Sequence, residues 1–122
     1  MISLTLPRPP SANRNTRFGK SNVHKSNDYK NWLKEAGWAI KAKRLQGIQG
    51  PYHLALKVAP RRNKGGELSG RQMDLDNHLK PVCDALQAFG LIENDKFART
   101  IYMEWSDAES GVWVEFSEAV AA

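Results

Sequence analysis

The 122 residues make one domain-sized chain with room for a single hydrophobic core, which excludes two independent catalytic domains. Hydrophobic residues account for 41% and charged residues for 25%, the balance of an ordinary globular protein and not of a disordered or collagenous chain. Charge is split along the chain: residues 1 to 66 carry 14 Lys and Arg against 2 acids, and residues 67 to 122 carry 4 against 11, within a formal net charge of +5.

A basic half suits a phosphate backbone, where each Lys or Arg contact displaces counterions, whereas an acidic half in the same small domain repels it. Acids kept in a nucleic-acid binder therefore mark either a solvated face or a site that works on phosphate. No apolar run approaches the roughly 20 residues that cross a bilayer, and residues 1 to 6 are too few for a signal-peptide core. A cytoplasmic protein with no membrane partner is expected. Cys83 is the one cysteine, which excludes an internal disulfide and a Cys-based zinc cage.

Ile2, Leu4 and Leu6 alternate with Ser3 and Thr5 up to Pro7, so residues 2 to 6 read as a strand. From 7 to 25, three prolines and scattered Asn, Lys and Arg show no hydrophobic period, and the segment reads as a long, basic, mobile loop suited to nucleic acid. Ser26 or Asn27 is the N-cap of a helix reaching about Leu45, with Tyr29, Trp32, Leu33, Ala36, Ile40 and Trp38 as its apolar candidates and Gly47 as its stop. Its other face carries Lys30, Lys34, Lys41, Lys43 and Arg44, either a solvated face or a phosphate track.

Tyr52, Leu54, Leu56 and Val58 alternate in a second strand, 52 to 59, closed by Pro60. A Gly-rich basic loop over 60 to 72 precedes a helix over about 77 to 89, with Leu75, Leu79, Val82, Leu86 and Phe89 on one stripe and Gly90 at its C′ position. Pro81 requires that this helix either begin close by or kink. Two further strands, 98 to 105 and 111 to 117, look like a hairpin. The order β, α, β, α, β, β predicts a single α+β domain with a mixed or mostly antiparallel sheet and two main helices on one face.

Asp74 and Asp76 flank Leu75, and in an extended segment two aspartates one residue apart point their carboxylates the same way, a chelating pair for Mg²⁺ or Mn²⁺. The plainer reading makes Asp76 a helix cap and sets Asp74 near the positive helix end. Asp76, Lys80 and Asp84 fall at i, i+4 and i+8 on one helical side, away from the apolar stripe. Lys80 then either meets a scissile phosphate or forms an ordinary ion pair. Asp95, in Glu93-Asn94-Asp95-Lys96, is the next candidate ligand, against simple turn chemistry. A helix over 77 to 89 spans about 20 Å and the extended segment to Asp95 returns roughly 16 Å, so closure within one chain is feasible but tight, with a neighbouring subunit as the alternative. His24 and His53 show no partners, and His78 reads as a surface residue or a general base. Neither a Ser-His-Asp spacing nor a phosphate-cradling G-x-x-x-x-G-K-[ST] loop is present, so triad hydrolases and nucleotide triphosphatases have no support.

Two stretches resemble one family. LPRPPSANR at 6 to 14 is similar to LPxPPSxNR, and DLDNHLKPVCDAL at 74 to 86 to DLDNxxKxxxDAL, the motifs of the RusA family of Holliday-junction resolvases. With the acidic turn ending at Asp95, the likeness runs in the same order over nearly the whole chain. It implies that Asp74, Asp76 and Asp95 hold Mg²⁺, with Mn²⁺ as a substitute, that Lys80 is the essential lysine, and that Asp84 and Asn77 support them. It also implies a homodimeric, metal-dependent DNA endonuclease of recombination and repair, in a family often carried by prophages, that nicks two opposed strands of a four-way junction. Water activated by the metal would attack in line, with Lys80 adding a fixed positive charge. Asn13, Arg14, Arg17, Lys20, Arg61, Arg62, Lys64 and Arg71 are the residues expected to grip the DNA. Where family members carry a run of arginines directly before the first aspartate, this chain has Gly70-Arg71-Gln72-Met73. Two other readings stay open from the residues alone: a phage DNA-binding protein without chemistry, and a metal nuclease for another branched or single-stranded DNA.

Overall fold

The computed structural model describes residues 2–10, 16–18, 23–25, 27–70, 74–108 and 110–119. In chain order these form β1 (Ile2–Leu6), β2 (Thr16–Phe18), β3 (Val23–Lys25), α1 (Asn27–Lys43), β4 (Tyr52–Val58), a 3₁₀ turn (Leu75–His78), α2 (Leu79–Ala88), a second 3₁₀ turn (Asp95–Phe97), β5 (Ala98–Trp105) and β6 (Val112–Glu118). The main sheet has the order β1-β6-β4-β5. β6 pairs antiparallel with both β1 and β4, and β4 pairs parallel with β5, so this is a mixed sheet in an α+β domain.

The alternating strands bury one face. Leu4 and Leu6, Tyr52 to Val58 in steps of two, and Val112, Val114 and Phe116 join Tyr29, Trp32, Ala36 and Ile40 of α1 and Val82, Cys83, Ala85 and Leu86 of α2 in a single core. Each fully buried Leu, Val or Phe contributes about 1.5–3 kcal/mol, whereas the other sheet face, with His53 and Trp113, stays exposed and both helices lie on the apolar side. Trp38 departs from the expected apolar side of α1: it is 61% exposed, with the Lys34 ammonium 5.4 Å from its ring centre. The physical reason is angular, since Tyr29, Trp32, Ala36 and Ile40 already fill the narrow arc that faces the sheet.

The expected β5–β6 hairpin is not formed. β4 lies between the two strands, and the connection straddles its end: Ser106 N donates to Val58 O at 2.8 Å and Ala59 N to Gly111 O at 3.0 Å. Gly111 has φ +87°, and a Cβ there would sit 3.0 Å from the Leu6 carbonyl oxygen, so this crossing needs glycine. The buried alternation of β6 demands a central position, while β5 exposes Ile101, Tyr102 and Trp105 and tolerates the edge.

Smaller differences have local causes. Within the expected loop 7 to 25, β2 and β3 pair antiparallel, with Arg17 opposite His24, a contact too short to leave a period in the sequence. α1 ends at Lys43 because Arg44 takes φ +51°; Gly47 serves packing instead, since a Cβ there would lie 1.9 Å from Gly90 O. Gly90, with φ +79°, ends α2 as expected, and Pro81 falls in its first turn, where a missing N–H costs nothing.

Candidate active site

The acidic motif opens on a 3₁₀ turn and not on an extended segment. Asp74 precedes it with φ −55° and ψ 143°, Asn77 N donates to Asp74 O at 3.1 Å, and Asp76 lies inside the turn. At three residues per turn, two steps swing a side chain well round the axis, so the parallel pair of carboxylates expected from a strand is corrected. Asp74 does stand at the N-terminal end of the turn, where a helix dipole favours negative charge, but the cap expected at Asp76 is not formed: Asp76 lies inside the first turn. Asp74 makes no side-chain capping bond and the N-cap position of α2 belongs to His78. Asp74, Asp76 and Asn77 are all exposed.

His78 is neither a surface residue nor placed as a general base. It is 2% exposed, its ring meets Trp105 edge-on at 5.8 Å, and its Nδ1–H donates to the carbonyls of Asp74 at 3.1 Å and Leu75 at 3.0 Å. Burial pushes its pKa down against the opposing pull of those carbonyls. A neutral imidazole thus pins the backbone that presents Asp74 and Asp76. His53, the other described histidine with a partner, meets Thr100 Oγ1 through Nδ1 at 2.7 Å on the open face.

One turn further, Lys80 stands between two carboxylates. Its Nζ is 3.0 Å from Asp84 Oδ1 and 3.5 Å from Asp95 Oδ2 of the same chain. The Lys80 side chain is 74% exposed, and the hydrogen bond and charge of Asp84 hold its pKa up, so it remains an ammonium facing solvent. Of the two sequence readings of Lys80, the i,i+4 ion pair with Asp84 is formed, and surface pairs of this kind add about 0–1 kcal/mol to stability. Asp95 is itself held: Gln87 Oε1 accepts from its N–H at 3.3 Å, Tyr52 OH donates to its carbonyl at 3.3 Å, and Asn94 caps the turn by accepting from Lys96 N at 3.0 Å. The return from α2 brings Asp95 back to Lys80 of the same chain.

Two residues outside the expected set complete the surroundings. Tyr29 of α1 donates to Asp84 Oδ2 at 2.5 Å. Arg8 donates to Ala59 O at 2.7 Å, and burial followed by repulsion from Arg61 lowers its pKa. Arg8 and Arg62 line an open cavity of about 520 Å³ with Thr5, Leu6, Pro7, Ser110 and Gly111. Arg61, Arg62 and Lys64 are exposed on a turn closed by Ser69 N to Arg61 O and Gly66 N to Asn63 O, both 2.9 Å. Arg17 lies in β2; Asn13, Arg14, Lys20 and Arg71 lie outside the described residues. Tyr29 carried only a hydrophobic signal in the sequence, and Arg8 only its place inside the first motif.

Carboxylate oxygens are the hard donors Mg²⁺ takes, and Asp74, Asp76 and Asp95 all reach solvent, so the donor chemistry fits such an ion. Among the described residues no group of three or more His, Cys, Asp or Glu is placed to hold a metal, so the three do not form a closed cage in a single chain. A family model described as Endodeoxyribonuclease RusA matches residues 7–117, across both motifs and Asp95. The chain belongs to the RusA family of endodeoxyribonucleases. No curated protein matches it. The RusA match begins at Pro7, whose carbonyl accepts from Trp32 Nε1 at 2.8 Å, so the first motif is docked onto the same helix that supplies Tyr29. No helix among the described residues is long and apolar enough to cross a membrane.

Proposed function

We propose that this RusA-family chain resolves four-way DNA junctions in the cytoplasm as a Mg²⁺-dependent homodimer that makes paired, symmetric nicks. The observation that carries the reading is Lys80, an exposed ammonium held by Asp84 and Asp95 one turn after two exposed aspartates, Asp74 and Asp76. Asp74, Asp76 and Asp95 would hold Mg²⁺, or Mn²⁺ in its place, and the ion would supply a water of lowered pKa and neutralise phosphate charge. Lys80 contributes a fixed charge to the phosphate in the transition state and needs no proton transfer to do so. Asp84 fixes the Lys80 ammonium, and Asn77 lies beside the ligands. Arg61, Arg62, Lys64 and Arg8 offer phosphate contacts at the far end of β4, where mutual repulsion favours an incoming anion. Two-fold symmetry of a homodimer matches the approximate symmetry of an open junction.

The test is cleavage of a labelled synthetic four-way junction with and without Mg²⁺, comparing wild type with Asp76→Asn and using linear duplex and single strand as controls. Symmetric paired nicks that need both metal and Asp76 are expected. Tight binding with no cleavage under any metal overturns the reading in favour of a binding module; equal cleavage of single strands overturns the junction as substrate.

A further inference from the structure

We propose that Tyr29 is a positioning residue for Lys80: its hydroxyl holds one oxygen of Asp84 so that the other faces the lysine ammonium. The inference rests on the nuclease reading of the site and adds to it a residue from a different helix. Asp84 uses its two oxygens in different directions, Oδ2 toward Tyr29 OH at 2.5 Å and Oδ1 toward Lys80 Nζ at 3.0 Å. Lys80 is a long chain, 74% exposed, with Asp95 more distant at 3.5 Å, so the orientation of Asp84 decides where the charge stands.

Tyr29 is suited to set that orientation because it does not move freely itself. It is 3% exposed, and its ring leans on Trp32 at 6.0 Å between centres. Trp32 is in turn anchored by its Nε1 donating to Pro7 O at 2.8 Å. A continuous set of contacts thus joins Pro7, Trp32, Tyr29, Asp84, Lys80 and Asp95, linking the first motif to the second. Burial, then the bond to Asp84, raises the pKa of the phenol, which therefore remains a donor. A buried hydroxyl is costly unless bonded, and phenylalanine would fill the same space. Tyr29 thus has a use beyond packing.

The experiment compares wild type, Tyr29→Phe, Asp84→Asn and the double variant in single-turnover cleavage of a four-way junction with Mg²⁺, together with junction Kd and thermal melting. In parallel, reductive methylation of Lys80 is followed by mass spectrometry against Lys30 and Lys34 of the same molecule. Tyr29→Phe is expected to cleave about 10-fold more slowly at unchanged Kd and to speed Lys80 methylation at least about twofold, and the double variant to be no slower than Asp84→Asn alone. Wild-type cleavage by Tyr29→Phe, multiplicative losses in the double variant, or unchanged Lys80 methylation overturns the proposal. If wild type cleaves no DNA, the function proposed above fails, and the methylation ratio alone decides this inference. If Tyr29→Phe does not fold, Tyr29→Leu, which also removes the hydroxyl, takes its place in the methylation measurement: a faster Lys80 upholds the positioning role of Tyr29, an unchanged one overturns it.

Discussion

The acidic motif presents its carboxylates in two different surroundings. Asp74 and Asp76 stand exposed at the start of a 3₁₀ turn, where the buried His78 ring donates to the Asp74 and Leu75 carbonyls. Asp84 and Asp95, a helix away, are braced by Tyr29, Gln87 and Tyr52 and joined through Lys80. Under the proposed function the first pair, open to solvent, would take a ligand that brings its own positive charge. The second meets the Lys80 ammonium and is oriented by protein contacts, with Asp95 shared between that lysine and the proposed ion. A site for phosphate chemistry needs both kinds: acids open to a metal, and an ammonium that does not wander.

The strongest challenge to this contrast is Asp76→Asn. Cleavage should fall by more than roughly 100-fold while the melting curve barely moves, and junction binding should hold or tighten as repulsion with phosphate is relieved. A large loss of stability would show instead that Asp76 is structural. Lys80→Ala should lower the single-turnover rate by about 100-fold with a stability change below about 1 kcal/mol, measured by quenched-flow cleavage and urea melts on the same sample. The Tyr29→Phe effect, about 10-fold, sits below both, as befits a residue that acts through another.

The buried side of α2 offers a pH test. Burial, and then the nearby charges of Asp95 and Asp84, push the Cys83 thiol up to about 11 from an ordinary value of 9.0. The native state keeps this proton longer than the unfolded chain does, so the contribution is fully present below pH 9 and is lost as pH rises toward 11. Denaturant melts should show stability falling across that window by up to about 1.4 kcal/mol per pH unit from this group, and Cys83→Ala should flatten that part of the curve. Alkylation of native Cys83 by iodoacetamide at pH 7 should be slow compared with the unfolded protein. The smallest effect belongs to Trp38→Ala, which should change stability by less than about 0.5 kcal/mol because that ring lies outside the core.

Much of this was legible in the residues. The alternations at 2 to 6, 52 to 58 and 112 to 116 mark strands because a strand buries every second side chain. The stripe of Val82 and Leu86 and the stop at Gly90 mark α2 for equally local reasons. Lys80 and Asp84 were legible too, since i,i+4 spacing on a helix is itself a distance. The burial of His78 is not legible, because a histidine in a motif gives no sign that Trp105 of β5 will pack against it. The exposure of Trp38 is hidden for the opposite reason: an aromatic at nearly the right phase is indistinguishable from core until its neighbours are in place.

The sequence by itself determined the four strands of the main sheet and the two helices, the separation of basic and acidic halves, and the motifs of the family whose model matches residues 7–117. These depend on interactions within a few residues or on composition alone. The tertiary structure decided that β4 lies between β5 and β6, that Asp95 returns to Lys80 of its own chain, and that Tyr29 reaches Asp84 across 55 positions. Such pairings carry no local signal. They are selected when the sheet closes and each buried face and polar group must find a partner together, an energy that belongs to the assembled core and not to any window of the chain.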